Sequence, residues 1–130
     1  MEGRNERMWI DGAACDAENS ATLNVTNPAT GECIATVPAA MAADVLRAID
    51  AADRAFVSWS KTTPFYRGAL LRKASEAVLE HLEEIAVLMT SEQGKPLAEA
   101  RGEVKKGAEI LRYYAEEGER RTDWLAEGVI

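Results

Sequence analysis

The sequence predicts a set of short β-strands followed by three long α-helices. In residues 8–37, short runs rich in apolar residues lie between turn residues, and one of them, Leu23–Thr26, alternates between apolar and polar side chains with period two. From Asp44 onward the apolar residues instead recur every three or four positions. Gly94 and Pro96 then place a helix end beside a helix start. We therefore expect strands at about 8–37, three helices at about 42–121, and a tail at 122–130 that no pattern assigns.

Three short strands are expected in the first part of the chain. Met8–Ile10 is followed by Asp11–Gly12, a residue pair typical of tight hairpin turns. Leu23–Thr26 alternates between apolar and polar side chains. Cys33–Val37 ends at Pro38, which has no N–H for a ladder hydrogen bond. We predict antiparallel pairing, because tight turns connect such strands.

Each predicted helix carries one apolar stripe. The first begins near Asp44 and is weakly capped, because Met41 and Ala42 offer no side-chain oxygen, although Asp44 favours the positive end of the helix dipole. The second begins at Thr63–Pro64 and stops at Gly94, and the third begins near Pro96. We expect three stripes to face a core: Val45, Ile49, Ala52, Phe56 and Trp59; Leu71, Ala74, Val78, Leu82, Ile85 and Met89; Leu97, Ala100, Val104, Ala108 and Leu111.

Other helix positions are expected to contact solvent or a second element. On the second helix, five charged residues form a solvated face: Arg72, Lys73, Glu76, Glu80 and Glu83. Gly102 and Gly107 each weaken the third helix by roughly 1 kcal/mol relative to Ala. Such a cost indicates either close approach of another element or tolerated surface glycines.

Composition excludes several classes of function. The 130 residues carry a net charge of -7, which disfavours a nucleic acid or an anionic membrane as partner. No apolar run is long enough to span a bilayer, and residues 1–9 lack the apolar core of a secretory signal. Two cysteines without metal-ligand spacing fit a reducing compartment. Cytoplasm is the expected location.

The cysteines and the single histidine do not form a plausible catalytic group. Cys15 lies beside Asp16 and near Glu18, and acidic neighbours raise a thiol pKa. Cys33 falls within a predicted strand and is interpreted as a small buried hydrophobe. His81 has no nucleophile or metal ligand nearby in sequence, so it is interpreted as a surface residue. We assign no catalytic residue.

Two longer runs carry a resemblance to a known family. The run Glu92–Val104, E-Q-G-K-P-L-A-E-A-R-G-E-V, closely resembles the aldehyde dehydrogenase superfamily and its succinate-semialdehyde dehydrogenase-like branch. Val25–Glu32, V-T-N-P-A-T-G-E, is similar to the N-terminal turn of that family. Arg112–Gly118 resembles the end of its third helix. The resemblance extends from about Trp9 to Arg121.

The resemblance implies an α/β family in which this chain is part of the coenzyme-binding domain, without the Rossmann-type parallel sheet. The complete enzyme would oxidise an aldehyde to a carboxylic acid with NAD or NADP, and succinate semialdehyde is the first choice of substrate. The family's catalytic cysteine, general base and nucleotide-binding turn match no position here. No cofactor-binding residue is therefore assigned, and the chain alone is expected to be inactive.

The resemblance also implies two sites. An alkali cation, Na⁺ or K⁺, would be held by the backbone carbonyls of Val25 and Thr26 and by the carboxylate of Glu92. Lys106 and Ile110 would lie at the mouth of the substrate tunnel. Glu92 is equally well read as a surface carboxylate near a helix end, and Lys106 and Ile110 as ordinary exposed helix residues.

The expected partners are the remainder of the enzyme or a second copy bound through apolar helix faces, since family members are homo-oligomers. Alone, the chain is expected to be helical but loosely packed, or to self-associate. A non-catalytic, truncated helical interaction protein is the alternative function. Both functions share the same sequence over these residues, so the sequence leaves them open.

Overall fold

The computed structural model describes residues 4–120, which form five strands and four helices. The strands are β1 (Arg4–Asn5), β2 (Met8–Ile10), β3 (Ala13–Cys15), β4 (Thr22–Thr26) and β5 (Cys33–Pro38). The helices are α1 (Ala42–Trp59), α2 (Pro64–Glu80), α3 (Leu82–Gln93) and α4 (Leu97–Arg120). The described residues divide into two compact units, one of 4–59 with 91–94 and one of 60–90 with 95–120. The predicted tail at 122–130 lies outside the described residues.

The strands of the first unit form two small sheets. β2 and β3 pair antiparallel around Asp11 and Gly12, whose φ angles of 55° and 73° fit the tight turn that the sequence predicts. In the other sheet β5 lies between β4, which is antiparallel to it, and β1. β1 is parallel to β5, with Arg4 opposite Ala35, so the prediction of antiparallel strands alone was wrong. β1 and β3 are too short to produce an alternating pattern, and neither was predicted.

The first turn of α1 is held by Asp44, the acidic residue that the sequence places at the positive end of the helix dipole. The buried carboxylate accepts hydrogen bonds from the backbone N–H of Met41 at 2.9 Å and of Glu18 at 3.2 Å. Arg47 donates a third at 2.7 Å. The hydrogen bond from Met41 is the largest contribution that holds the pKa of Asp44 below its ordinary value. The Asp44 carboxylate thus supplies one half of a capping box, because it accepts from the N–H of Met41, the residue that precedes the helix.

The apolar stripe of α1 is not part of a core in the described residues, which corrects the sequence prediction. Val45, Ile49, Phe56 and Trp59 remain between 44% and 63% exposed. The buried residues of α1 are Asp44 and Ala51, which lie on another side of the helix. Periodicity predicts that side chains share a face, but it does not show that another element covers the face.

The second predicted helix is two helices. α2 ends at Glu80, His81 leaves the helical region with φ -99° and ψ 16°, and α3 begins at Leu82. The prediction of three helices was therefore wrong, because the break at His81 divides the second helix and makes four. No glycine or proline marks that break, and hydrogen bonds from His81 to Ala77 and from Ile85 to His81 continue across it. The predicted capping of α2 is confirmed, because the Thr63 side chain accepts a hydrogen bond from the N–H of Tyr66.

The second unit contains a cluster of buried apolar residues. Ala86, Ala100 and Val104 are buried at its centre. Five half-buried residues surround them: Val78, Leu82, Ile85, Met89 and Leu97. The stripes predicted for the later helices are therefore largely confirmed. None of the described helices is both long and apolar enough to cross a bilayer.

Small residues set the spacing between α2 and α4. The buried Ser75 hydroxyl donates to the Ala108 carbonyl at 2.8 Å. A Cβ at Gly68 would lie 3.0 Å from the Ala115 carbonyl oxygen. Gly102 and Gly107 have open space around them, so the surface interpretation of these two glycines holds in the described structure. Between α2 and α4, the glycine that close approach requires is Gly68.

Candidate functional site

The predicted cation ligands Val25 and Thr26 lie where the β4–β5 ladder changes register. Val25 pairs with Ala35, but Thr26 pairs with Cys33, so Ile34 is the extra residue of a β-bulge. A bulge interrupts the ladder hydrogen bonds and bends the strand. The bulge in β5 therefore lies opposite Val25 and Thr26, the positions that would supply carbonyl ligands.

The turn after this bulge is held by its own hydrogen bonds. The Asn27 side-chain oxygen accepts from the N–H of Ala29 at 2.9 Å, and the Asn27 carbonyl accepts from Gly31 at 2.7 Å. The N–H of Asn27 donates to the Glu32 carbonyl at 2.9 Å. Gly31 has a φ of 74°, which a glycine adopts without steric cost. These bonds fix the course of the chain directly after the two carbonyls.

The end of α3 belongs to the same unit and approaches this turn. A Cβ built on Gly94 would lie 2.9 Å from Cγ of Pro28. Glu92 precedes Gly94 by two residues, and Thr26 precedes Pro28 by two residues. The Glu92 side chain is exposed. The structure thus brings together the two segments that carry the predicted ligands.

The predicted tunnel-mouth residues lie on one exposed side of α4. Lys106 and Ile110, one helical turn apart, line a surface depression of about 470 Å³ together with Glu109, Tyr113 and Tyr114. Lys106 Nζ donates to Glu109 Oε2 at 3.4 Å. The rings of Tyr113 and Tyr114 meet edge to face with centroids 5.3 Å apart. The face combines one cation with exposed apolar and aromatic surface.

A charged cleft between α2 and α4 was not predicted. It has a volume of about 420 Å³, and Ser75, Leu79 and Ala108 line it together with five charged residues: Arg72, Glu76, Lys105, Glu109 and Arg112.

Arg72 is half-buried and donates a hydrogen bond to Glu119 at 2.5 Å, so its assignment to a solvated face was wrong. This hydrogen bond lowers the pKa of the Glu119 carboxyl below its ordinary value. Glu119 lies 47 positions from Arg72, so helix periodicity gives no signal for the pair.

The two cysteines lie on strands of the first unit, and Cys33 pairs with Thr26 in the β4–β5 ladder. Cys15 is half-buried on β3, and Cys33 is exposed at the first residue of β5. The prediction that Cys33 is buried was wrong, because only the interior of β5, at Ala35, is covered. His81 is exposed as expected, with Nδ1 3.3 Å from Oε2 of Glu84. Among residues 4–120 no three His, Cys, Asp or Glu side chains form a metal-binding group.

Sequence comparison identifies the family. Residues 15–126 match the model of the aldehyde dehydrogenase family. The chain belongs to the aldehyde dehydrogenase family. A glutarate-semialdehyde dehydrogenase of Pseudomonas putida is 47% identical over 115 residues, covering 88% of this chain and 24% of that protein. An NADP⁺-dependent succinate-semialdehyde dehydrogenase of Escherichia coli is 44% identical with the same coverage.

Solved structures of aldehyde dehydrogenases contain the same arrangement of strands and helices. An NAD-dependent aldehyde dehydrogenase of Sinorhizobium meliloti superposes with a TM-score of 0.88 at 33% identity, over 91% of this chain and 24% of that one. A succinate-semialdehyde dehydrogenase of Burkholderia pseudomallei gives 0.86 at 42% identity, over 88% and 24%. This member of the aldehyde dehydrogenase family therefore spans about a quarter of the length of these relatives and corresponds to their N-terminal segment.

Proposed function

We propose that this chain is the N-terminal part of an NAD(P)-dependent semialdehyde dehydrogenase, which oxidises the aldehyde group of a short ω-oxo carboxylate, with succinate semialdehyde as first choice. The observation that carries the proposal is the 44–47% identity to proteins named glutarate- and succinate-semialdehyde dehydrogenases. The run Glu92–Val104, on which the resemblance was recognised, spans the boundary between α3 and α4.

The described residues do not fit the role of a dinucleotide site. Such a site needs a strand, a glycine-rich turn and a helix whose N-terminus meets the pyrophosphate. Within residues 4–120 the chain passes directly from strand to helix only between β5 and α1, through Ala39–Met41, which contains no glycine. We therefore assign no residue of this chain to the binding of NAD or NADP. We also assign no chemical step of the reaction to this chain.

Val25, Thr26 and Glu92 fit an alkali cation. Two carbonyls and one carboxylate offer hard oxygen donors, which suit Na⁺ and K⁺. The approach of Gly94 to Pro28 supports the pairing of the two segments, because Glu92 and Thr26 each lie two residues away. In this role the ion ties the end of α3 to the β4–β5 turn.

Lys106 and Ile110 form part of the substrate entrance in this proposal. The Lys106 ammonium attracts the carboxylate of a semialdehyde, while Ile110 contacts its methylene groups. Their common exposed face on α4 supports this role. The remainder of the enzyme would then face this side of α4, and the expected location is the cytoplasm.

The experiment that tests the proposal is a chimera. Residues 9–121 replace the matching segment of the Pseudomonas putida glutarate-semialdehyde dehydrogenase, and cofactor reduction is measured with succinate and glutarate semialdehydes. We expect turnover within about tenfold of the parent enzyme, since the aligned segments share 47% of residues. A folded chimera without turnover would contradict the proposal. The purified 130-residue chain is the negative control.

The alternative function is a non-catalytic interaction protein, and one observation favours it. The exposed apolar side of α1 has the character of a binding surface. Two results together would support this alternative. The 130-residue chain would bind another protein through α1, and the chimera would be folded but inactive.

A further inference from the structure

The turn between β2 and β3 places an aspartate directly before a glycine. Asp11 and Gly12 form the two-residue loop of the hairpin, with φ angles of 55° and 73°. Every other aspartate of the sequence precedes Ala, Val, Arg or Trp, and no asparagine precedes a glycine. Asp–Gly is the dipeptide in which the side-chain carboxyl most readily reaches the following backbone nitrogen, because glycine has no side chain to shield that nitrogen.

The two reacting groups of this turn are held differently. Oδ2 of Asp11 accepts a hydrogen bond from the Arg54 guanidinium of α1 at 3.1 Å. The Gly12 N–H donates no hydrogen bond among residues 4–120. A Cβ built on Gly12 would meet no atom within 4 Å, so the main chain after Asp11 is uncrowded. The nitrogen is therefore free to act as a nucleophile, while Arg54 restrains the carboxylate.

We propose that Asp11 and Gly12 form a β-aspartyl linkage spontaneously, and that Arg54 slows this reaction. In the first step the Gly12 nitrogen attacks Cγ of the protonated Asp11 carboxyl group. A bond forms between the nitrogen and Cγ, and the bond from Cγ to the hydroxyl oxygen breaks. The hydroxyl leaves and takes the Gly12 N–H proton to form water. The product is a five-membered succinimide ring.

Hydrolysis of the ring completes the change. Water adds to one of the two ring carbonyls and breaks the bond from that carbonyl to the nitrogen. Opening at Cγ restores aspartate, whereas opening at the main-chain carbonyl leaves Gly12 joined through Cγ, which is the β-aspartyl form. This step consumes the water that ring closure releases. The reaction therefore needs no oxidant, reductant or enzyme.

The ion pair with Arg54 opposes ring closure. A carboxylate must gain a proton before one of its oxygens leaves as water, and the guanidinium favours the ionised carboxylate. The same hydrogen bond limits rotation of the carboxyl group toward the Gly12 nitrogen. The side chains of Arg54 and Asp11 are 63% and 68% exposed, so this restraint is modest.

A β-aspartyl linkage changes the hairpin. It inserts Cβ of Asp11 into the main chain, so the loop that pairs Ile10 with Ala13 becomes one atom longer. The remaining carboxylate is attached directly to Cα, and the present hydrogen bond to Arg54 is lost. Hydrogen exchange at Ile10 and Ala13 should therefore accelerate in the modified chain.

This inference does not rest on the proposed aldehyde oxidation. Both reacting atoms belong to adjacent residues, so no partner has to reach the turn, and the reaction is measured in the 130-residue chain without substrate or cofactor. A chimera that fails to turn over leaves this prediction unchanged. A chain that keeps its normal Asp11 linkage leaves the catalytic proposal unchanged.

The test is storage of the full chain for several weeks in water labelled with heavy oxygen, at physiological temperature and mildly acidic pH. Each passage through the ring incorporates one labelled oxygen, and methylation by a protein isoaspartate methyltransferase reports the β-aspartyl form. Peptide mapping should locate both signals at Asp11. Asp16 is the matched control, because its side chain is 63% exposed and lies 3.0 Å from Arg7, but Ala17 follows it. We expect several-fold weaker signals at Asp16.

Absence of both signals at Asp11, or equal signals at Asp11 and Asp16, would overturn the proposal. Asp11→Glu keeps the charge but lengthens the side chain, so the five-membered ring cannot form and the signals should disappear from the turn. Arg54→Gln should raise the rate at Asp11 by about two- to fivefold, the range that an exposed ion pair allows. Arg7→Gln should leave that rate unchanged. Signals that persist in Asp11→Glu would place the reaction elsewhere and overturn the proposal, and an unchanged rate in Arg54→Gln would overturn the role of Arg54.

Discussion

Gly94 lies against Pro28, so closely that a Cβ at Gly94 would be 2.9 Å from the proline Cγ. Gly94 also has a φ of 72°, in the left-handed region that disfavours any residue with a Cβ. Two separate constraints therefore require glycine here. The left-handed backbone at Gly94 ends α3. The absence of a Cβ allows the end of α3 to contact the β4–β5 turn.

Gly94→Ala is expected to lower the free energy of unfolding by roughly 2–3 kcal/mol, about 1–2 from the left-handed backbone and the rest from the contact with Pro28. Urea denaturation measures the change. Gly31→Ala is the matched control, because Gly31 has a φ of 74° but no atom within 4 Å of a Cβ. Equal effects of the two substitutions would show that the contact with Pro28 contributes nothing.

Gly68→Ala is expected to separate α2 from α4. The added Cβ would lie 3.0 Å from the Ala115 carbonyl oxygen and would displace the Glu119 carboxylate, which costs roughly 1–3 kcal/mol. Gly107→Ala, in open space within α4, should instead stabilise the chain by about 0.5–1 kcal/mol through helix propensity. Thermal unfolding of the two variants should shift in opposite directions.

The Arg72–Glu119 pair predicts a dependence of stability on pH. The hydrogen bond from Arg72 lowers the pKa of Glu119 in the folded chain below its ordinary value of 4.5. The pair therefore stabilises the fold above pH 4.5, and this contribution is lost as the pH falls through the lower folded-state pKa. Glu119→Gln should lose less stability than the wild type between neutral pH and pH 3. If the free energy of unfolding falls equally in Glu119→Gln and in the wild type between neutral pH and pH 3, the assignment is contradicted.

Asp44→Ala is expected to release two backbone N–H groups at once. Hydrogen exchange at Glu18 and Met41 should accelerate several-fold, because both amides donate to the Asp44 carboxylate. Asp50→Ala, an exposed position on the same helix, is the control and should leave both amides unchanged. Unaltered exchange at Glu18 in the Asp44 variant would show that this loop is held by other contacts.

Glu92→Gln tests the proposed cation site. If Glu92 binds an alkali ion with the carbonyls of Val25 and Thr26, NaCl or KCl should raise the melting temperature more than tetramethylammonium chloride at equal ionic strength. The substitution should abolish this difference. Glu80→Gln removes the same charge from an exposed position on α2 and should preserve it. No difference between the salts in the wild type would contradict the site in this chain.

The sequence predicted those elements that local chemistry fixes. The turn at Asp11–Gly12, the cap at Thr63 and the stop at Gly94 depend on residues within a few positions of each other, and the structure contains all three. The family resemblance could also be recognised in the sequence, from the two runs Val25–Glu32 and Glu92–Val104. The helix break at His81 could not be predicted from the sequence, since backbone hydrogen bonds continue across it.

Tertiary structure alone decided which patterned faces are covered and which distant residues meet. The stripes of α1 and α4 have similar periodicity, yet Ala100, Val104 and Ala108 are buried while Ile49 and Phe56 are exposed. Periodicity records the direction of side chains around one helix axis, whereas burial depends on another element reaching that face. The same reason applies to Arg72 with Glu119 and to Gly94 with Pro28, whose contacts join residues far apart in the chain.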